Sequence, residues 1–252
     1  MVHFVGAGPG ASDLITRRGA RLLGEADVIV YAGSLVNLAL LGLAKDGCAV
    51  YNSAEMTLEQ VLEVICAAEA AGLTTVRLHT GDPCLYGAIR EQMDALDAAG
   101  LAYDDIPGVS SFCGAAAALR AEYTLPGVSQ SVIITRLAGR TSVPGRESLA
   151  SLAAHGASMV IFLSAGMLEG VQEALLQGAY TPETPAAIVY KATWPDEKVV
   201  RCTAGTLAER GGKAGIHSTA LILVGDFLQP KYERSKLYDP SFTTGFRKGE
   251  TG

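Results

Sequence analysis

A chain of 252 residues with 49% hydrophobic and 18% charged residues can bury a sizeable core, as one large domain or two smaller ones. Its formal net charge of −6 provides no surplus for neutralising phosphates, which excludes non-specific nucleic-acid binding but not a local basic pocket. Five scattered cysteines without a C-x-x-C pair (Cys48, Cys66, Cys84, Cys113, Cys202) and four widely spaced histidines (His3, His79, His155, His217) predict reduced thiols in a cytoplasmic protein and no protein-held metal.

Residues 2–5 form a first apolar strand with no basic stretch ahead of it, so no signal peptide is expected. No apolar run nears the ~20 residues of a membrane span. Gly6-Ala7-Gly8-Pro9-Gly10-Ala11 follows, and Ser12 is expected to cap a helix running to residue 23. Residues 27–31 are a second, buried strand that opens through Ala32-Gly33-Ser34 into a short apolar helix. A third strand covers 48–51, and Thr57-Leu58-Glu59-Gln60 is a capping box that opens a helix to about residue 71. A fourth strand, 75–79, runs into Thr80-Gly81-Asp82-Pro83 and then directly into a helix ending near residue 99. A weak strand at 101–106 leads to Pro107-Gly108-Val109-Ser110-Ser111 and a small-residue helix over 112–120. This alternation predicts a mostly parallel sheet.

Past Leu125 the rhythm changes. A strand at 132–134 leads to a long loop carrying Arg136, Arg140 and Arg146, then a helix over 147–154, a strand over 159–163 and a helix over 168–177. Strands follow at 186–190, 198–202 and 219–224, the first two close enough for a hairpin, so the second half is α/β with an antiparallel pair. We divide the chain into an N-terminal α/β domain, residues 1–122, and a C-terminal α/β domain with a mixed sheet, residues 123–252. The polar stretch after Gln229 is expected to be loosely attached.

Two motifs stand where ligands sit in open α/β sheets, at the carboxyl ends of strands. Gly6-x-Gly8-x-x-Ala11 nearly fits a dinucleotide fingerprint, but Pro9 removes an N–H that a pyrophosphate needs, and no acid ends the second strand. A Gly-Pro-Gly turn still makes a rigid wall for a ligand without phosphate. Thr80-Gly81-Asp82-Pro83 is an ordinary turn by composition, yet it sets a carboxylate beside a glycine that lets backbone approach closely.

The cluster Gly6-Ala7-Gly8-Pro9-Gly10 with Leu14-Ile15-Thr16-x-x-Gly19-Ala20, then Gly81-Asp82-Pro83 with Tyr86-Gly87, then Pro107-Gly108-Val109-Ser110-Ser111, resembles the tetrapyrrole methylase family in order and spacing. Within it, Tyr31-Ala32-Gly33-Ser34-Leu35-Val36, Asn52-Ser53-Ala54-x-Met56-Thr57-Leu58 and Thr135-Arg136-x-x-Gly139-Arg140-Thr141-x-Val143-Pro144 look like the precorrin-4 C-11 methyltransferases of cobalamin synthesis. Ile15, where Leu is frequent, and Ser142, where Pro is usual, are small departures.

The resemblance implies two α/β domains with S-adenosylmethionine in the cleft between them, usually in a homodimer. Its cofactor contacts carry over to Pro9, Thr80, Gly81, Asp82, Leu85, Ser110, Ser111, Leu163, Ala192, Thr219 and Ala220. These residue types suit the ligand. Asp82 balances cationic charge or accepts from ribose or amine; Ser110 and Ser111, at a helix start, receive a carboxylate; Leu163 and Ala192 flank adenine. Ser110 is also a good N-cap, and Leu163 could simply end a core strand. The implied substrate, precorrin-4 or its cobalt complex, is a poly-carboxylated ring, for which Arg136, Arg140 and Arg146 of one loop supply forked donors, Arg136 and Arg140 foremost, with Lys191 and Ser34 as weaker candidates. No triad or carboxylate dyad stands out, and no catalytic base is named. The alternatives are methylation of another precorrin carbon or of uroporphyrinogen III, and a non-catalytic tetrapyrrole carrier.

Overall fold

Five short apolar runs build one parallel sheet. β1 (Val2–Gly6), β2 (Val28–Tyr31), β3 (Ala49–Asn52), β4 (Thr75–His79) and β5 (Tyr103–Ile106) pair in the order β3-β2-β4-β1-β5, every neighbour parallel. The computed structural model describes residues 1–229 and 231–249. By contacts the chain divides into Met1–Ala115 with Lys191–Glu197, and Ala116–Tyr190 with Lys198–Gly252. The division falls inside a helix, before the expected boundary near residue 122.

Alternate residues of the first sheet feed two cores. Val5, Ile29, Val76, Leu78 and Ile106 pack with Leu22 and Leu23 of α1 (Arg17–Glu25). Phe4, Val28 and Val30 pack on the other face with Val61, Ile65 and Ala68 of α2 (Leu58–Ala70) and Leu96 of α3 (Arg90–Ala98). The Thr57 capping box forms as expected, with Thr57 Oγ1 accepting from Gln60 N at 3.4 Å and Gln60 Oε1 from Thr57 N at 2.9 Å.

Two helix starts differ from the sequence reading. Residues Ser12–Leu14 make only a 3-10 turn, and Ile15 packs against the first core with extended backbone, so Thr16 rather than Ser12 caps α1, accepting from Gly19 N at 3.1 Å. No helix follows Pro83 directly. Residues 83–89 turn instead, with Tyr86 (φ 58°) and Ala88 (φ 49°) in the left-handed region, before α3 starts at Arg90.

That turn is held from the core. Arg77, in the middle of β4 and only 6% exposed, donates from Nε to Gln92 Oε1 at 2.9 Å and from Nη1 to the Val30 carbonyl at 3.0 Å. Gln92 Nε2 donates in turn to the Ala88 carbonyl at 2.9 Å. Burial lowers the Arg77 pKa to about 10 and, with help from the Arg77 charge, lowers that of His79 to about 3, so His79 stays neutral near neutral pH. Gln92→Leu leaves the guanidinium and the Ala88 carbonyl short of partners. We expect it to destabilise the first unit by about 2–3 kcal/mol in denaturant titration.

After α4 (Ser111–Leu119), the second sheet joins β6 (Val132–Arg136), β7 (Ser158–Phe162), β8 (Pro185–Tyr190), β9 (Lys198–Thr203) and β10 (Ala220–Val224) in the order β6-β7-β10-β8-β9. β6 and β7 are parallel; the remaining pairs, including the expected β8–β9 hairpin, are antiparallel. α5 (Leu149–Ala153), α6 (Leu168–Leu176) and α7 (Leu207–Lys213) cover a core centred on Met159, Ile161, Val171, Ile188 and Ile222. The C-terminal stretch touches the rest of its unit through Glu233 and is otherwise tied mostly to itself, with Tyr232, Leu237, Tyr238 and Phe246 exposed. Glu233 N donates to the Pro126 carbonyl at 3.0 Å, and Arg247 Nη2 donates to the Leu237 and Asp239 carbonyls at 3.2 and 2.5 Å. Residues 250–252 lie outside the described ones. Among the described residues no helix is long and apolar enough to cross a membrane.

Candidate active site

The loops after β1, β4 and β5 leave adjacent strands at the same sheet edge, because β1 lies between the other two. Three glycines let them close on one another. A Cβ on Gly6 would lie 2.5 Å from Gly108 Cα and 2.6 Å from the Gly81 carbonyl oxygen, and one on Gly108 would lie 2.0 Å from that oxygen. Gly8 (φ 82°) and Gly81 (φ 62°) exchange backbone hydrogen bonds of 3.2 and 2.9 Å, a bridge that needs left-handed backbone on both sides.

Asp82 fastens the third loop. Its Oδ1 accepts from Cys84 N and its Oδ2 from Gly108 N, both at 2.9 Å. Burial pushes the carboxyl pKa up, but the hydrogen bonds from Cys84 and Gly108 outweigh it and hold the group below its ordinary value. Each oxygen thus holds one backbone N–H, which ties the β4 and β5 loops together and leaves each a further lone pair. The Asp82 hydrogen bond to the Cys84 thiol, with burial, raises that thiol to about 11, so the thiol is protonated at neutral pH.

The other first-unit candidates gather on this frame. A Cβ on Gly81 would lie 3.5 Å from Ser110 Cα and Ser111 N, which sets the start of α4 against the Gly81 turn. Ser110 is 7% exposed and Ser111 half-buried. Thr80 Oγ1 is buried without a hydrogen-bond partner among the described residues. Leu85 is half-buried, its N–H donating to the Asp82 carbonyl at 3.3 Å. Ser34 lies on the 3-10 turn Gly33–Leu35 after β2, with its side chain outside what is described.

Pro9 and Gly10 are buried, and the residues responsible were missed in the sequence. Lys191–Glu197 belongs to this unit and packs on them. Trp194 Nε1 donates to the Pro9 carbonyl at 3.2 Å, and Thr193 Oγ1 accepts from Ala11 N at 3.0 Å. Ala192, 5% exposed, lies beside Gly114, where a Cβ would be 3.5 Å from its own. The one signal available was the lone tryptophan of the chain, in Lys191-Ala192-Thr193-Trp194-Pro195.

In the second unit, Leu163 follows β7 with φ 52° and 61% of its surface exposed. It does not end the core strand as a packed residue. An exposed leucine in the left-handed region costs roughly 1–2 kcal/mol that packing does not return. Ser164 holds the turn: its Oγ donates to the Phe162 carbonyl at 2.7 Å and accepts from Leu137 N at 2.9 Å. Thr219 (φ 52°) precedes β10, where Ala220 pairs with Tyr190 and Ile222 with Ile161. That register carries Leu163, Thr219 and Ala220 to one end of the sheet.

The arginines separate. Arg136 is occupied by its own loop, donating from Nη1 to the Thr141 carbonyl at 3.1 Å and from Nη2 to the Ser142 carbonyl at 2.6 Å. Arg140 is exposed, and Arg146 pairs at 3.5 Å with Glu147. Lys191 Nζ pairs with Asp196 Oδ2 at 2.7 Å. Among the described residues no group of three His, Cys, Asp or Glu side chains could hold a metal ion.

A parallel sheet with three glycine-locked loops at one end is followed by a mixed sheet with a strained, exposed leucine at one end. Residues 1–208 match the tetrapyrrole (corrin/porphyrin) methylases, and the chain belongs to that family. The cobalt-precorrin-4 C(11)-methyltransferase of Methanocaldococcus jannaschii is 52% identical over 98% of this chain and 96% of its own. The solved structure of a cobalamin biosynthetic enzyme, cobalt precorrin-4 methyltransferase, matches with a TM-score of 0.89 at 44% identity, over 91% of this chain and 96% of that one. Uroporphyrin-III C-methyl transferase from Thermus thermophilus, complexed with S-adenyl homocysteine, matches with a TM-score of 0.77 at 26% identity, over 90% of this chain and 98% of that one.

Proposed function

We propose that this protein transfers a methyl group from S-adenosylmethionine to C-11 of precorrin-4, or of its cobalt complex, to give the corresponding precorrin-5. The observation that carries the reading is 52% identity, over nearly the whole of both chains, to a relative named for that reaction. The S-adenyl homocysteine bound by the Thermus thermophilus enzyme supports the choice of donor.

S-adenosylmethionine supplies a methyl group on a sulfonium that is already a good leaving group. What remains for the protein is placement, which can contribute roughly 7–11 kcal/mol when the reacting atoms are well aligned. The first-unit residues fit that ligand. Pro9 offers a rigid ring and the Gly81 turn backbone with no Cβ in the way, the unpartnered Thr80 hydroxyl can accept or donate, and Ser110 and Ser111 at the start of α4 favour a carboxylate. Asp82 keeps these loops in register. Leu85 and Ala192 contribute apolar surface, and Leu163, Thr219 and Ala220 carry the remaining family assignments.

Arg140 is the better candidate for the substrate carboxylates, since Arg136 already serves its own loop. Arg140→Ala is expected to weaken macrocycle binding by about 3- to 30-fold and to leave donor affinity unchanged. Equal macrocycle affinity for both proteins, by titration, removes Arg140 from the site. We also read the protein as a homodimer. Val50 and Tyr51 of the edge strand β3, together with Leu35, Leu38 and Leu43, expose apolar surface that a second copy would cover.

Calorimetric titration with S-adenosylhomocysteine, followed by turnover of precorrin-4 and its cobalt complex side by side, tests the reading. Binding with turnover of either macrocycle supports it. Binding of a tetrapyrrole without any binding of S-adenosylhomocysteine would favour a carrier instead.

A further inference from the structure

We propose that Trp194 and Thr193 are positioning residues for methyl transfer: together they fix the Pro9–Ala11 turn in the shape that receives the methyl donor. The inference rests on the function proposed above and assigns it residues outside the family contacts carried over.

Pro9 stiffens the turn, but few of the turn's polar groups are satisfied locally. Pro9 has no N–H, and Gly10 has no side chain to pack. Three of the turn's backbone polar groups are taken up by residues distant in sequence. The Pro9 carbonyl accepts from Trp194 Nε1 at 3.2 Å, the Gly10 carbonyl accepts from Asn37 Nδ2 at 2.8 Å, and Ala11 N donates to Thr193 Oγ1 at 3.0 Å. Two of these three bonds come from adjacent residues of one loop.

Shape agrees with the hydrogen bonds. A Cβ on Gly10 would lie 2.1 Å from Trp194 Cδ1, so the indole occupies the space that any other residue at position 10 would need. A Cβ on Gly114 would lie 3.0 Å from both Pro9 Cβ and Thr193 Cγ2, so the α4 side of the contact is equally tight.

The loop is also built to present these two groups. Lys191 (φ 46°) and Thr193 (φ 69°) both take the left-handed region, although neither is glycine. Such backbone persists only where surrounding contacts fix it, and it gathers at functional sites. The fixing contacts are Thr193 N to Glu197 Oε2 at 2.6 Å, Lys191 to Asp196 at 2.7 Å, and Lys191 Nζ at 5.5 Å from the Trp194 ring centroid. Two strained residues held by three local contacts, all to aim one N–H and one hydroxyl at Pro9–Ala11, are difficult to explain as a plain hairpin connection.

Trp194→Phe keeps the ring against Gly10 and removes only the N–H. Thr193→Val keeps the shape and removes only the acceptor, while Thr193→Ser restores it. Steady-state kinetics with S-adenosylmethionine and the macrocycle, beside calorimetry with S-adenosylhomocysteine, read the effect. The expected result is a roughly three- to tenfold higher KM for S-adenosylmethionine in W194F and in T193V, with kcat and macrocycle KM within about twofold and near-normal donor KM in T193S. Unchanged donor KM in both variants, with tight S-adenosylhomocysteine binding by the parent protein, overturns the positioning role alone. A parallel loss of kcat, both KM values and thermal stability marks the contact as merely structural and overturns it as well. Failure of the parent protein to bind S-adenosylhomocysteine overturns the proposed function along with it.

Discussion

Gly108→Ala is expected to destabilise the first unit by about 3 kcal/mol or more and to abolish methyl transfer. The added Cβ would stand 2.0 Å from the Gly81 carbonyl oxygen and 2.7 Å from Gly6 Cα, and both neighbours are backbone. Neither can rotate away as a side chain would. Relief requires one of three strand ends to shift, and those strands are β1, β4 and β5, whose pairing organises the sheet. The displaced atoms also include the Gly81 turn that bridges to Gly8. At position 42 a Cβ meets nothing within 4 Å, so Gly42→Ala serves as the control and should leave stability within about 0.5 kcal/mol of the parent. Thermal unfolding of the two variants checks the pair. A Gly108→Ala protein as stable as the control would show that the three loops do not depend on close backbone contact.

Asp82→Ala is expected to lower affinity for the methyl donor by about 10- to 100-fold, while single-turnover rates at saturating donor fall far less. The variant leaves the Gly108 and Cys84 N–H groups without their acceptor, and the β5 loop loses its tie to the β4 loop. What is lost is the alignment of the Gly81 turn with Ser110, hence binding rather than bond-making. A large fall in single-turnover rate with unchanged affinity would instead make Asp82 a participant in the chemistry. The same group predicts a pH effect. Its folded pKa lies below the ordinary 3.8, so its contribution is complete above that value and is lost as pH falls through the lower folded one. Acid unfolding of Asp82→Ala should therefore show a weaker pH dependence below about pH 4 than the parent protein.

Much of the fold was legible because its signals are local. Buried parallel strands such as Val28–Tyr31 read as unbroken apolar runs, and Thr57 with Gln60 sets a helix start within four residues. The glycines at 6, 8, 81 and 108 were visible as motifs, yet their reason was not. Each is required by backbone from another loop, and no spacing within one loop encodes that approach. Asp82 shows the same limit. Its composition suggested a ligand clamp, but gave no sign that its Oδ2 also holds an N–H 26 residues further along the chain. Ser12 misled because it caps well by propensity, while the pull of Ile15 into the core moved the helix start to Thr16 and Arg17. Nothing in the strand around Arg77 marks its partners Val30 and Gln92, which come from two other elements. Trp194 and Thr193 were the most distant from view, since 185 and 182 residues separate them from Pro9 and Ala11.

The most direct test of the whole account is to incubate the protein with precorrin-4, or its cobalt complex, and S-adenosylmethionine labelled in its methyl carbon, then locate the label in the product by NMR. The account predicts a single new methyl group on C-11. A label on any other carbon, or no transfer to either macrocycle, would contradict it.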